Sequence, residues 1–466
     1  MKINKKQLIH IIGIGGIGMS GIAEILHGLG YSIQGSDISL NSNILRLRRR
    51  KIKIFIGHFQ KNLKNVDLVI YSSAIKQNNN ELKFAKSKLI PSIPRSNILA
   101  QLVSLKKTIA VSGSHGKTTT TSLIASVLSK SNYKPTIING GIINEYGTNT
   151  KLGTGKWMVV EADESDSTFL KLSSTVSVVT NIDEEHLDHY KNFSNLKKSF
   201  TKFITQVPFY GCAIVCSDNK HVKKIIRKIT TTKIIKYGFN SDNDIRATNI
   251  RSKNNKTIFD ISIRDEKNKV KKFHNFTIPL VGKYNVLNAL ATIAVALYVG
   301  LKVPQIKRSI SSFKGVERRL THVGTVKNIE IIDDYAHHPT EIKNVILGIR
   351  ESRPSNNLVA VFQPHRFTRI VSLRKEFSKA FSCSDHVMVS EIYAAGEKKP
   401  RNFKLNDLIR NIRNKSKTKS SIYINNYSVL DLINQFDGKT TILFLGAGSV
   451  TKWAHDFYSL LKREYE

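Results

Sequence analysis

The chain is 466 residues long with 40% hydrophobic and 23% charged residues, a length that needs about three cores and a composition that excludes a disordered or fibrous protein. Lys and Arg number 73 against 35 Asp and Glu, a formal charge of +38; they are spread along the whole chain among Asn and Ile with no aromatic-studded RNA-binding signature, so attraction to anionic substrates is expected and a specific nucleic-acid partner is not. Cys212 and Cys216 lie four apart with no second pair and Cys383 stands alone, which argues against a disulfide framework or a structural zinc site.

In chain order, the leading lysines precede an apolar run, as in a signal peptide, but the run breaks into glycines without a small-residue cleavage pattern. No later stretch has the roughly 20 uninterrupted apolar residues of a membrane span. A cytoplasmic protein without a membrane partner is therefore expected. Residues 8–37 read as strand, glycine turn, helix and strand, and residues 66–74 as a further buried strand. The turn is a GxGxxG at Gly13, Gly15 and Gly18, and Asp37 ends the second strand. Alone, this is a dinucleotide fingerprint and favours an NAD-dependent oxidoreductase. A glycine turn selects only a pyrophosphate, however, and UDP-sugars carry one too; Asp37 suits the uridine portion equally well.

A second unit opens near residue 106 with the strand TIAVSG. The segment VSGSHGKTTTTS, residues 111–122, sits between that strand and a helix. Backbone N–H groups of such a turn, the helix N-terminus and one lysine together cradle phosphate oxygens. Lys117 is expected at the β- and γ-phosphates and Thr118 at magnesium, although Val111 stands where the usual GxxxxGK[ST] has its first glycine, leaving Gly113 and Gly116. The next strand, WMVV, ends in EADESD, which puts Glu161 where a carboxylate can take magnesium; Asp163, Glu164 and Asp166 read better as a solvated acidic turn. VSVVTNID then leads to EEHLDHY and brings His186 to the same sheet edge. A zinc site from His186, Asp188 and His189 lacks further ligands at usable spacing. The helical run VLNALATIAVALYVGL follows residue 285.

The third unit opens near residue 315, where GVERRL places Glu317, Arg318 and Arg319 at the junction; an arginine there can reach a transferring phosphoryl group. Strand IEIIDD leads to Asp333, Asp334, His337 and His338 ahead of a helix with Pro339 in its first turn. Taken singly, either histidine reads as a surface residue. Strand LVAVF leads to QPHRFTR, whose Arg366 and Arg369 share a face if the segment is helical and suit a carboxylate. The domains are expected at 1–103, 104–314 and 315–466, three consecutive α/β domains, each with a mainly parallel sheet.

HIIGIGGIGMSGIAEIL, SGSHGKTTTTS, VEADESD, TNIDEEHLDHY, GKYNVLNALAT, GVERRL, DDYAHHPTEI and FQPHRFTR, in this order and spacing, resemble the Mur ligases over nearly the whole chain, and among them those that join L-alanine to UDP-N-acetylmuramate. The departures are Ser114 where Thr is usual, Ala336 where Gly is common and Glu317 where Lys is common. The resemblance implies a Rossmann-like first domain, a P-loop-type central domain and a Rossmann-like last domain. It also implies a magnesium-dependent, ATP-binding ligase of peptidoglycan precursor synthesis, monomeric or homodimeric. In its reaction ATP phosphorylates the lactyl carboxylate, the amine of L-alanine attacks the acyl phosphate, and the tetrahedral intermediate collapses to amide, ADP and phosphate.

By motif matching, Gly13, Gly15, Gly16, Gly18, Asp37 and Ser72 hold the UDP-sugar. Gly113, Ser114, His115, Gly116, Lys117, Thr118 and Thr119 hold the phosphates of ATP, with Asn285 and Asn288 at adenine and Asp334 at the ribose. Thr118, Glu161 and His186 hold magnesium, Arg319 meets the γ-phosphate, and His337, Arg366 and Arg369 receive the L-alanine carboxylate. The catalytic set implied is Lys117, Glu161, His186, Arg319 and His337. Ligases that attach recycled peptide to the same sugar tend to carry a tyrosine at the position of Ser165, so the serine favours the alanine enzyme. The GKT loop with its acids favours a ligase over an oxidoreductase, which has no use for a second phosphate site.

Overall fold

The computed structural model describes residues 7–72, 74–253 and 255–465. The lysines read as signal-peptide-like, Ser73 of the expected 66–74 strand and the side chain of Asp188 lie outside what is described.

Three sheets follow one another along the chain. The first contains β1 (Leu8–Ile12), β2 (Ser32–Asp37), β3 (Lys53–Ile56), β4 (Leu68–Tyr71) and β5 (Ser92–Pro94) in the order β3-β2-β1-β4-β5, every pair parallel. An all-parallel sheet is covered on both faces, which is why β1 is an apolar run rather than an alternating one. Its exception is His10, fully buried beside Glu81 of the helix Asn80–Ser87. Glu81 Oε2 accepts from Ser36 Oγ at 2.5 Å and lies 3.4 Å from His10 Nε2 and 3.2 Å from His58 Nδ1; Oε1 accepts from Asn62 Nδ2 at 2.6 Å. Gln34 Nε2 donates to His10 Nδ1 at 3.2 Å, which leaves His10 its proton on Nε2, facing the carboxylate. Burial opposes the charge on Glu81, but His10, His58 and Ser36 outweigh it and hold the pKa at about 2.

The second sheet contains β6 (Lys107–Ser112), β7 (Thr136–Ile143), β8 (Thr148–Lys151), β9 (Trp157–Glu161), β10 (Val176–Val179), β11 (Cys212–Cys216), β12 (Ile234–Gly238), β13 (Ile245–Lys253), β14 (Lys256–Arg264) and β15 (Val270–Ile278). Their order is β15-β14-β13-β12-β11-β10-β6-β9-β7-β8. β6 lies between β10 and β9, parallel to both; β7 and β8 form an antiparallel hairpin. β11 is wholly buried, and burial pushes the Cys212 and Cys216 thiols up to about 12.

The third sheet contains β16 (Thr321–Val326), β17 (Ile329–Asp334), β18 (Asn357–Phe362), β19 (His386–Val389), β20 (Lys419–Ile422) and β21 (Thr440–Leu445) in the order β16-β17-β21-β18-β19-β20. Only β16 is antiparallel to its neighbour. All three sheets carry helices, so the architecture is α/β in three domains.

The chain groups into two compact units. One comprises residues up to 247 with 261–272 and 287–314; the other comprises 248–260, 273–286 and the residues from 315 on. Within the first, the helix Ile17–Gly28, which follows the glycine turn, is bonded to the β7–β8 hairpin. Glu24, buried, accepts from Arg46 Nε at 2.7 Å and Thr150 Oγ1 at 3.1 Å, and Asn149 Nδ2 donates to the Ile17 carbonyl at 2.8 Å. Among the described residues no helix is long and apolar enough to cross a membrane.

Candidate active site

The phosphate loop joins β6 to the helix Lys117–Lys130. Gly116, the residue before that helix, has φ +81°, and a Cβ there would stand 2.7 Å from Asn288 Oδ1, so only glycine fits. The loop is laced to the end of β10. His115 N donates to Asn181 Oδ1 at 2.9 Å, Thr180 Oγ1 donates to the His115 carbonyl at 2.6 Å, and Asp183 N donates to Ser114 Oγ at 2.8 Å. Ser114 therefore keeps the hydroxyl this bond needs. Thr118 and Thr119 are buried in the first turn of the helix. Asn288 is buried beneath the loop, where its Oδ1 accepts from Thr120 Oγ1 at 3.0 Å. Asn285, also buried, donates to the Val281 carbonyl at 2.8 Å and belongs to the other compact unit.

Lys117 Nζ donates to Glu164 Oε1 at 2.8 Å and to the Gly113 carbonyl at 2.7 Å. Burial lowers the pKa of this lysine, but Glu164, Asp163 and Glu161 together outweigh it and raise the value above the ordinary one. Glu164 is 1% exposed, which corrects the reading of it as part of a solvated turn. Its backbone carbonyl accepts from the Tyr190 hydroxyl, so β9 and the residues after β10 converge on it. A carboxylate this deeply buried persists because a cation meets it. Asp163 is half-buried, its Oδ1 accepting from Ser165 N at 2.9 Å, and only Asp166 of the three is exposed.

Glu161 Oε2 accepts from the Gly140 amide at 2.7 Å, and Thr118 also hydrogen-bonds this carboxylate. Burial raises the Glu161 pKa, with Lys117 and these donors opposing. His186 has φ +57°, a conformation rare for a residue with a side chain, and its Nε2 lies 3.6 Å from Glu164 Oε1. Burial lowers the His186 pKa, but Glu164 and Glu185 raise it further, above the ordinary value. The donor set suits a magnesium ion. Glu164 Oε2 is buried with no hydrogen-bond partner among the described residues, and ligand atoms of Glu164, Glu185 and His186 lie within 4.8 Å of one another. His189 instead hydrogen-bonds Ser167 Oγ at 2.8 Å, away from this cluster.

The glycine turn lies in the same compact unit. Gly13 has φ +77°, and a Cβ there would stand 3.3 Å from Ser72 Cβ, which puts Ser72 beside the turn. Asp37 Oδ2 accepts from the Gly15 amide at 2.8 Å and Oδ1 from the Ile38 amide at 2.8 Å, so Asp37 braces the turn itself. A Cβ on Gly15 would meet Asn41 Nδ2 at 2.7 Å and Asp37 Oδ2 at 2.9 Å, whereas one on Gly16 would meet only the Gly13 carbonyl at 3.5 Å. The Gly15 position is thus closed by the chain and Gly16 is the open one. A Cβ on Gly18 would stand 2.7 Å from Cζ of Arg95, a residue the sequence reading passed over.

The remaining candidates belong to the second unit. Asp334 is buried; its Oδ2 accepts from Leu320 N and its Oδ1 from Ala336 N, both at 2.8 Å. Burial raises its pKa to about 6 against the pull of Arg319, whose guanidinium lies 5.1 Å from the centre of the Tyr335 ring. Arg318, singled out beside it, donates to the Gly446 carbonyl at 2.9 Å. His338 caps the helix Pro339–Ser352, its Nδ1 accepting from Thr340 N at 3.3 Å. His337 Nδ1 lies 2.9 Å from the Tyr335 carbonyl. Its ring centre is 5.8 Å from that of His365, which stacks on Tyr393. Arg366 precedes the helix Phe367–Ser372 with φ +68° rather than lying in it. It and Arg369 converge on His365, whose pKa burial and these two charges lower to about 4. His365, unassigned in the sequence reading although it lies within QPHRFTR, is the neutral centre of this cationic cluster.

Comparison with known proteins assigns these parts to one lineage. Profiles of three domains match in order: the Mur ligase family catalytic domain over residues 8–107, the Mur ligase middle domain over 111–296 and the Mur ligase glutamate ligase domain over 318–448. UDP-N-acetylmuramate--L-alanine ligases of Brucella anthropi and Brucella ovis are each 44% identical to the chain, over 449 and 451 residues, covering 96% of it and 96% of themselves. Among solved structures, the UDP-N-acetylmuramate-alanine ligase of Thermotoga maritima is similar at a TM-score of 0.82 and 26% identity, with 98% of this chain and 99% of that one covered. A murein peptide ligase from Psychrobacter arcticus shares the fold at a TM-score of 0.70 and 22% identity, with 98% of each chain covered. With its three domains matched in order and 44% of positions shared with relatives across 96% of its length, the chain belongs to the Mur ligase family.

Proposed function

We propose that the chain joins L-alanine to UDP-N-acetylmuramate, using ATP, in the cytoplasmic synthesis of peptidoglycan precursors. The observation that carries this reading is the ion pair of Lys117 with Glu164 inside a buried acidic cluster, in the same compact unit as the glycine turn. A carboxylate is a poor electrophile at neutral pH, and transfer of the γ-phosphoryl group from ATP gives it a leaving group. The amine then adds to the acyl carbon and phosphate departs. In this reading Gly13, Gly15, Gly16 and Gly18 line the UDP-sugar site, Gly13 to Gly16 at its pyrophosphate, with Ser72 and Asp37 bracing or bordering the turn. Residues Gly113 to Thr119 cradle the phosphates of ATP, and Lys117 turns from Glu164 toward the β- and γ-oxygens. Thr118, Glu161 and His186, with Glu164 beside them, would hold magnesium, which neutralises phosphate charge. Asn285, Asn288 and Asp334 serve the nucleoside and Arg319 the γ-phosphate. His337, Arg366 and Arg369 orient the L-alanine carboxylate, beside His365, whose pKa burial and the two guanidiniums hold at about 4.

Phosphate release tests the reading. It should require ATP, UDP-N-acetylmuramate and magnesium together, and a scan of single amino acids and of a tripeptide should give the highest rate with L-alanine. Calorimetry on the native protein supplies the opposing outcome: micromolar binding of NAD with no response to the UDP-sugar would return the first domain to the oxidoreductase reading.

A further inference from the structure

Arg95 begins the helix Arg95–Val103 at the carboxyl end of β5, the edge at which ligands gather in a parallel sheet. Its guanidinium lies flat against the third glycine of the turn: a Cβ on Gly18 would stand 2.7 Å from Cζ, 2.8 Å from Nη2 and 2.9 Å from Nε. Nε is buried with no hydrogen-bond partner among the described residues, and no carboxylate among them forms an ion pair with this side chain. A guanidinium offers five donors, and taking them out of water unpaired is unfavourable. The side chain is half-buried with Nε its one buried, unpaired donor among the described residues, a group that an anion binding there would satisfy.

Two anionic parts of a sugar nucleotide compete for it, the pyrophosphate and the carboxylate. The turn that faces a pyrophosphate is Gly13 to Gly16, and Arg95 sits beyond it, over Gly18. Lys171 Nζ, which follows the acidic turn in the chain, donates to Ser96 Oγ at 2.9 Å and to Asn97 Oδ1 at 3.0 Å, so the start of the Arg95 helix is tied to the segment that leaves Glu164. Arg95 thus lies over the third glycine of the turn, on a helix whose first residues are bonded to the segment that leaves the acidic cluster. A fork of N–H donors matches a carboxylate in geometry and charge.

We propose that Arg95 binds the lactyl carboxylate of UDP-N-acetylmuramate and presents it for phosphorylation, an inference that rests on the ligase reading above. UDP-N-acetylglucosamine carries the same nucleotide and pyrophosphate without that carboxylate, so the pair of ligands isolates the contact. In calorimetry, Arg95→Gln should weaken UDP-N-acetylmuramate about 10- to 100-fold, the range for lost charged hydrogen bonds, and leave UDP-N-acetylglucosamine almost unchanged; Arg95→Lys should recover only part. Equal losses for both ligands would assign Arg95 to the pyrophosphate, and no loss for either would leave it a packing residue; each overturns the proposal while native binding of UDP-N-acetylmuramate leaves the ligase reading standing. Native protein that binds neither sugar nucleotide overturns both.

Discussion

Lys117 and Glu164 depend on each other in a way that a phosphate-loop motif does not reveal. Lys117 is 16% exposed and Glu164 1%, so deleting the lysine removes the phosphate contact and also strands a buried carboxylate. Lys117→Ala should therefore abolish phosphate release and lower stability by about 3 kcal/mol, the scale for breaking a buried pair from one side. Adding Glu164→Gln should recover much of that stability in urea denaturation without restoring activity. A double variant as unstable as the single one would show that the pair is not what the loop rests on. Sequence reading reached Lys117, Thr118 and Glu161 because strand, glycine and acid fall in a fixed order. It discounted Glu164 because a run of acids in a turn is usually solvated; the burial comes from Tyr190 and His186, which are distant in sequence and arrive only with the fold.

At the scale of elements, the strands that sequence made legible are those buried on both faces, such as β9, β10 and β21, whose apolar runs end at polar residues. β13 to β15 were not legible. Their half-exposed residues include many Lys, Arg and Asn, so neither an apolar run nor a clean alternation marks them. The helix Asn80–Ser87 carries a signal of a different kind, because its Glu81 is buried against His10 and His58. The Glu81 pKa is lowered to about 2 from 4.5, so its contribution is fully present above about pH 4.5 and is lost as pH falls toward 2. Glu81→Gln should remove this acid-sensitive part, about 3 kcal/mol. In urea denaturation at stepped pH, the gap between native protein and variant should close by that amount across this window. Asp334 has the opposite sign: raised to about 6 from 3.8, its protonated form favours folding fully below about pH 3.8, and that support is lost as pH rises through 6. A gap that stays constant from pH 6 to pH 2 would remove Glu81 from the account.

On the scale of the whole molecule, the charge of +38 gives every anionic ligand the same attraction and so says little about which one is bound; the three domains had to be read from their motifs. The three cysteines, by contrast, distinguish the parts of the fold. Cys212 and Cys216 lie on the buried β11 with their thiols pushed up to about 12, and Cys383 is half-buried in the last domain. Thiolate is the reactive species, so a mild alkylating reagent should modify native protein at Cys383 and leave the other two untouched. Mass spectrometry with a pulsed reagent should find one label on folded chains and three on unfolded ones, with no chains carrying two as the central sheet opens. Labelling of Cys212 without Cys216 would mean that β11 frays from one end. The protein thereby contains its own clock for the opening of the sheet that carries the phosphate loop, readable without dyes or inserted probes, and one that ligands of that loop should slow.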